Sequence, residues 1–312
     1  MIWPREAYLI PIYFFSRIWP RPFLLLHNRL ASYVVFRLWR EKRQVWQKNL
    51  AVVLGKSAQD PVVKKTVRQM LHKYGLYLCD YMQMYRLLKG GARYLIPELH
   101  GMAHLQGALR SGKGAVLITA HLGHWELGSV LLTLRNCPLY VITLRDPEKK
   151  IQDFRDQARA SMGVRSIHID PKRFETVLQA VRLLKENCFV ALLADRWESG
   201  KKTKVRFFDQ EVYFPVGAAA LALASGAPLI PAYTILQDNG RYATCVEEPI
   251  WVTRQPGLET SQLLNQTTQE LARVFEKAIA RYPDQWYHFF DYWERFRVTE
   301  NKVKPEPTIR SV

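Results

Sequence analysis

The chain has 312 residues and a mass of 36.4 kDa, enough to bury a sizeable core as one large domain or two small ones. Hydrophobic residues at 48% and charged residues at 23% are globular values, which exclude a largely disordered chain. A balance of 45 Lys and Arg against 28 Asp and Glu, net +17, directs attention to anionic partners: nucleic acid, a membrane face or an acidic protein.

Residues 1–50 carry nine basic and two acidic side chains among many aromatics, including Trp3, Tyr8, Phe14, Phe15, Trp19, Phe23, Tyr33, Phe36, Trp39 and Trp46. Arg17, Pro20, Arg21, Pro22 and Arg29 interrupt the apolar runs, so no clean membrane-spanning helix is predicted. No small-residue cleavage site follows them, which argues against a signal peptide. Basic residues interleaved with Trp, Phe and Leu are what a helix lying in a membrane interface needs. A membrane-associating helical region over 1–50 is therefore predicted, ahead of a globular domain over 51–300 and a loose, proline-bearing tail over 301–312.

Apolar residues recurring at three and four predict a helix over Pro61–Leu88, and a second is predicted over Leu99–Leu109. A short buried strand is predicted from Ala115. Further strands follow at Leu139–Thr143, Ser166–Ile169 and Cys188–Ala194, with helices between them near Lys149–Ser161 and Phe174–Glu186. Such alternation predicts an α/β fold with a mostly parallel central sheet flanked by helices. Val212–Gln237 has no charged residue, but Pro215, Gly217, Gly226, Pro228 and Pro231 break it into a helix, a turn and a strand rather than a span. A long helix over Thr260–Ala280 and an aromatic segment over Tyr282–Trp293 close the domain.

Chemistry concentrates where the first strand ends. Gly114-Ala-Val-Leu-Ile-Thr-Ala120 leads into His121-Leu-Gly-His-Trp-Glu126-Leu-Gly128 and then a helix. Strand ends of this kind are where open α/β sheets put their sites. With His121 on the turn and Glu126 in the first helical turn, the carboxylate could hold one ring nitrogen while the other faces a hydroxyl, a general base with its orienter. The competing reading is a capped helix whose dipole Glu126 serves. A metal set of His121, His124 and Glu126 lacks a fourth ligand, so no metal is predicted. Cys79, Cys137, Cys188 and Cys245 show no C-x-x-C spacing, so neither a zinc site nor a disulfide framework follows, and a reducing compartment fits. Neither G-x-S-x-G nor H-E-x-x-H occurs. A second dense stretch joins Asp195-Arg196 to Gly200 and the cations Lys201, Lys202, Lys204 and Arg206, a candidate anion site. Gly217 opens a helix whose free amides could meet a phosphate or oxyanion.

In order, His121-x4-Glu126, Arg159-x3-Gly163, Leu192-Leu-Ala-Asp195, Phe207-Phe208, Pro215-x-Gly217, the Ser-Gly226-Ala-Pro228 block with Pro231, and Pro283-x-Gln285-Trp286 resemble the lipid A biosynthesis late acyltransferases, within the lysophospholipid acyltransferase superfamily. The resemblance runs from about residue 10 to 295. It implies an enzyme that moves a fatty acyl chain from an acyl thioester to a hydroxyl of a lipid A precursor or related glycolipid. His121 would be the general base with Glu126 its partner, and Arg159, Asp195 and Gly217 would shape a substrate site, in which Arg196 is placed by its own charge beside Asp195. Arg196 stands where that family usually carries Gln. Acyl carrier protein is the favoured donor, docking on Lys201, Lys202, Lys204 and Arg206, with acyl-CoA the alternative. No cofactor is implied. The location implied is the cytoplasmic face of a bacterial inner membrane. A basic nucleic-acid-binding protein is the rival from another class, but the aromatics lie in apolar helical runs and no nucleic-acid module is recognisable.

Overall fold

The structure, a computed structural model, describes residues 19–89, 98–135, 137–144, 148–169 and 175–298. Residues 1–18 of the predicted membrane-associating region and the predicted tail lie outside these residues.

Three helices lead the chain: α1 (Arg21–Leu38), α2 (Arg40–Leu54) and α3 (Pro61–Lys89). The turn between α1 and α2 is closed by Arg43, which donates to the Phe36 carbonyl at 2.7 Å and to that of Arg37 at 3.4 Å. Gly55 ends α2 in the left-handed conformation that an L side chain rarely adopts. Pro61 starts α3, where its missing N–H costs nothing. Trp46, Leu50 and Val53 of α2, with Val63, Val67 and Met70 of α3, turn into the core at helical spacing.

The α/β body follows as β1 (Glu98–His100), α4 (Met102–Arg110), β2 (Ala115–Thr119), α5 (Trp125–Leu134), β3 (Leu139–Leu144), α6 (Lys149–Ser161), β4 (Arg165–Ile169), α7 (Glu175–Lys185) and β5 (Phe189–Leu193). Next come β6 (Lys202–Phe207), β7 (Gln210–Pro215), α8 (Gly217–Ser225), β8 (Leu229–Leu236), β9 (Tyr242–Val246), α9 (Thr260–Arg281), a 3₁₀ turn (Pro283–Gln285) and α10 (Tyr292–Phe296). The sheet order is β1-β9-β8-β2-β5-β3-β4. Strands β8, β2, β5, β3 and β4 run parallel. Strand β9 pairs antiparallel with β8, and β1 runs parallel to β9. The sheet is therefore mixed at one edge. β2 is central, and Ala115 to Ile118 are buried on both of its faces, as a strand covered by helices requires.

One local expectation is corrected and one strand is added. The segment read as one helix over Leu99–Leu109 is a short strand and then α4, divided by Gly101 at φ +79°. A Cβ there would lie 2.0 Å from the Val246 carbonyl oxygen, so only glycine lets β1 come this close to β9. The cationic stretch, for which no strand was predicted, is β6 of an antiparallel hairpin with β7. Thr203, Val205 and Phe207 face inward and Lys202, Lys204 and Arg206 outward, a period of two that the charges obscured.

Helix α9 lays Leu263, Thr267, Leu271, Phe275 and Ile279 against the core on one stripe. The chain then returns across the sheet, where Trp286 and Tyr292 are fully buried beside Phe207 and Phe214. Asn49 of α2 anchors this closing segment. Its amide donates to the carbonyls of His288 (3.2 Å) and Phe290 (2.7 Å), its side-chain oxygen accepts from the Tyr292 N–H (3.0 Å), and its own carbonyl accepts from Trp293 Nε1 (3.1 Å). Asn49→Ala strands three buried backbone groups, so urea unfolding should show a loss of about 2–4 kcal/mol. A loss below about 1 kcal/mol would mean that the anchor contributes little.

Candidate active site

Parallel strands align their carboxyl ends on one side of a sheet. Because β5 lies between β2 and β3, residues just past β2 and β5 become neighbours: His121, and Asp195, 74 positions later. His121 Nδ1 lies 2.6 Å from Asp195 Oδ1, and the His121 backbone N–H donates to Oδ2 at 3.0 Å. The closing segment adds two more donors to Oδ2, Trp286 Nε1 at 3.1 Å and His288 Nε2 at 3.0 Å. The Tyr292 hydroxyl donates to the Asp195 backbone carbonyl. Asp195 is wholly inaccessible to solvent.

Burial by itself disfavours the ionised carboxylate. The hydrogen bonds it accepts from the His121 and His288 rings outweigh it and hold Asp195 well below the usual carboxylate range. An ionised carboxylate only accepts, so His121 carries its proton on Nδ1 and presents Nε2 with its lone pair. No hydrogen bond among the described residues uses that Nε2. Burial lowers the His121 pKa, the Arg196 guanidinium lowers it further, and Asp195 opposes both. The ring is therefore neutral at neutral pH. His288 is pushed down to about 3 by burial, against its bond to Asp195.

The loop after β2 is clamped from two sides. Gly123 N–H donates to the Gln285 carbonyl at 2.9 Å, His124 N–H to the Thr234 carbonyl at 2.6 Å, and Tyr287 N–H to the His121 carbonyl at 2.8 Å. Gln285 in turn exchanges two side-chain hydrogen bonds with the Leu236 backbone at the end of β8. At Gly123 a Cβ would meet the Thr234 carbonyl oxygen at 2.1 Å with φ at +66°, so a side chain there would push His121 out of position.

Glu126 does not hold His121, which corrects the local expectation. Its carboxylate sits in the first turn of α5 and is taken by Arg159 of α6, at 2.6 Å from Nη2 and 3.1 Å from Nε. Both are buried. Burial disfavours the Arg159 charge, but Glu126 more than offsets this and Arg159 stays protonated. The pair ties α5 to α6 behind the base. His124 caps α5 by accepting from the Leu127 N–H at 3.2 Å, and burial lowers its pKa to about 3. His124 and Glu126, the other two residues of the metal set discounted above, are thus engaged with partners other than His121. His121, Asp195 and His288 do converge, with ligand atoms within 4.8 Å, but the two nitrogens nearest the carboxylate, His121 Nδ1 and His288 Nε2, are spent on hydrogen bonds to it.

The remaining expectations divide. Arg196 adjoins the site and pairs with Glu198 at 3.3 Å. Gly217 opens α8 next to the hairpin, since Val216 N–H donates to the Lys201 carbonyl, and no hydrogen bond among the described residues links it to His121. The basic stretch is not one free cationic face. Lys202 Nζ lies over the rings of Trp197 (4.0 Å) and Tyr213 (3.8 Å), and Arg206 is held by Asp209 at 2.7 Å, while Lys201 and Lys204 stay exposed. Trp286, His288 and Tyr292 were missed as site residues. Trp286 was reached by the Pro283-x-Gln285-Trp286 block without being given a role, and the aromatic run that follows it reads equally well as core.

A neutral imidazole oriented by a buried carboxylate at the mouth of a parallel sheet is the apparatus of a general-base transferase or hydrolase. The chain belongs to the bacterial lipid A biosynthesis acyltransferase family, whose model matches residues 5–295. It is also 30% identical over 260 residues to a phosphatidylinositol mannoside acyltransferase of Mycobacterium tuberculosis, covering 79% of this chain and 76% of that one. A phosphatidylinositol mannoside acyltransferase of Mycolicibacterium smegmatis is 28% identical over 253 residues, covering 79% and 78%. The chain is thus an acyltransferase.

Folding holds His124 and His288 neutral, whereas the unfolded chain protonates both near 6.5. The unfolded state therefore binds more protons below pH 6.5, and the stability these residues supply is present above that value and lost as pH falls from 6.5 toward about 3. Urea midpoints should decline over that window, by up to about 1.4 kcal/mol per pH unit for each histidine. Asn in place of His288 should flatten the slope, and an unchanged slope would remove His288 from the account.

Proposed function

We propose that this acyltransferase moves a fatty acyl chain from a thioester to a sugar hydroxyl of a phosphate-bearing membrane glycolipid, with His121 as general base. The observation that carries the reading is the open Nε2 of a neutral His121 whose Nδ1 proton is committed to Asp195. A sugar hydroxyl is a poor nucleophile at neutral pH and needs such a base. Nε2 takes the hydroxyl proton as the oxygen attacks the thioester carbonyl. The C–O bond forms, the C–S bond breaks, and the imidazolium returns the proton to the departing sulfur. Asp195 stays ionised throughout and stabilises the transient cation. Glu126 acts at one remove, through Arg159 and the seating of α5.

The family's description supplies a lipid A precursor as one acceptor to test, and the relatives' name supplies mannosylated phosphatidylinositol as the other. Both present sugar hydroxyls on an anionic lipid. Acyl carrier protein is the donor we favour, approaching the exposed Lys201 and Lys204, with acyl-CoA the comparison. His121→Ala and Asp195→Asn should each lower kcat by about 10²–10⁴. Because His121 must be unprotonated, kcat/KM should fall as pH drops through a value below the ordinary 6.5 of imidazole. Retention of activity in His121→Ala, with either acceptor and either donor, would overturn the base assignment.

The lipid substrate calls for a membrane contact, and α1 supports one. Trp19, Phe23, Leu26, Leu30 and Tyr33 recur at four, three, four and three residues, each at least 40% exposed, while Leu24 and Asn28 face inward. Arg37 and Arg40 lie at the end of this stripe. Among the described residues no helix is long and apolar enough to cross a membrane. We therefore read α1 as lying in the interface of an anionic leaflet, on the cytoplasmic face of a bacterial inner membrane. The full chain should float with vesicles containing anionic lipid, less so at high salt. A Phe23→Ser, Leu26→Ser, Leu30→Ser variant should lose about tenfold or more in binding. Unimpaired flotation of that variant would rule α1 out as the contact.

A further inference from the structure

Beside the base lies a charge cluster that the proton transfer leaves unused. Glu198, in the loop after β5, is shared by two arginines from distant parts of the chain. Arg196 Nε is 3.3 Å from its Oε1, and Arg295 Nη2, from α10, is 2.7 Å from its Oε2. Both guanidinium groups lie over the ring of Phe290, with Cζ at 5.7 and 4.8 Å from its centroid. Phe290 in turn contacts His288 (5.4 Å between ring centroids), which lies 5.2 Å from His121. The cluster is thus only two aromatic contacts from the catalytic ring. It is neither sealed nor free, with side-chain exposures of 29% for Arg196, 26% for Glu198 and 42% for Arg295.

Two arginines on one carboxylate leave one positive charge over. A guanidinium has five N–H donors. Arg295 donates one hydrogen bond to Glu198, and the other donors of both forks have no hydrogen-bond acceptor among the described residues. Planar forks held on an aromatic face match the oxygens of a phosphate, which can be gripped by two donors at once. Glu198 then has a definite part: it keeps the arginines together and neutralises half of their charge until an anion takes its place.

The geometry points to Arg196, Glu198 and Arg295 as a phosphate-accepting site at the mouth of the active site, with Glu198 the internal counter-ion that the substrate phosphate displaces. This rests on the acyltransferase reading above and adds to it the part of the substrate that is gripped. The phosphate can come from the glycolipid acceptor or from the phosphate groups of the donor's carrier. The positive potential of Arg196 that depresses His121 is consistent with the cluster's nearness to the base.

The test begins without turnover. Inorganic phosphate, added to the full chain in detergent at constant ionic strength, should raise the thermal midpoint. Arg196→Gln with Arg295→Gln should abolish that shift, and Arg295→Lys, which keeps charge but loses the fork, should weaken it. Glu198→Gln should enlarge it, because removing the counter-ion leaves the arginines to the ligand. No shift in the parent protein, a shift that survives the double substitution, or a smaller shift in Glu198→Gln would each overturn the site. Kinetics then separate the two sources. In Arg295→Gln the KM of the phosphate-bearing substrate should rise about tenfold, the loss of one bidentate contact. A rise for a phosphoglycolipid but not for a phosphate-free mannosyl lipid assigns the phosphate to the acceptor. A rise for acyl-CoA but not for acyl-pantetheine assigns it to the donor, and a rise for neither overturns the proposal. A parent protein that binds phosphate but transfers no acyl group would count against the acyltransferase reading alone.

Discussion

The site depends on one buried negative charge. Removing a carboxylate from water is costly, and an isolated one would take up a proton instead. Asp195 stays ionised because four donors from two parts of the chain converge on it: the His121 ring and backbone from the end of β2, and Trp286 and His288 from the closing segment. Its own backbone carbonyl is held by Tyr292. These contacts fix the imidazole tautomer, and with it the free lone pair that the proposed base chemistry requires. Removing any one donor leaves the same charge less compensated, so the cost appears both in stability and in the base.

Much of the remaining architecture serves to bring those donors in. The closing segment is far from β2 and β5 in sequence and is held in place by side chains. Gln285 pins it to the end of β8, and Asn49 of α2 pins it from the other side through four hydrogen bonds. The N-terminal helices therefore do two jobs. On one face they buttress the residues around Asp195, and on the other α1 exposes the apolar stripe read here as the lipid contact. Glu126 and Arg159 form a separate buried ion pair, bidentate and nearly dry, of the kind that is costly to break by removing either partner.

The sheet's character and the location of its chemistry were legible in the residues. The run Ala115–Thr119 is apolar throughout, as a strand covered on both faces must be, and the titratable cluster stands directly after it. Alternating strands and helices implied parallel pairing, which five strands of the sheet keep. Charge misled at β6, where Lys202, Lys204 and Arg206 hid an inward set of Thr203, Val205 and Phe207. Gly101 was passed over although it divides β1 from α4.

What the sequence determined by itself is which residues carry titratable chemistry and which strand delivers them, because periodicity and strand-end position are local properties. The pairing of those residues was decided only by the tertiary structure. His121 and Glu126, five residues apart, looked like partners, yet the insertion of β5 beside β2 brings Asp195 to the imidazole and leaves Glu126 to Arg159. Strand order, with the hydrogen bonds of a segment more than 160 residues further on, determines which carboxylate meets the ring. No local pattern encodes that, since it arises from packing between parts of the chain that only folding brings together.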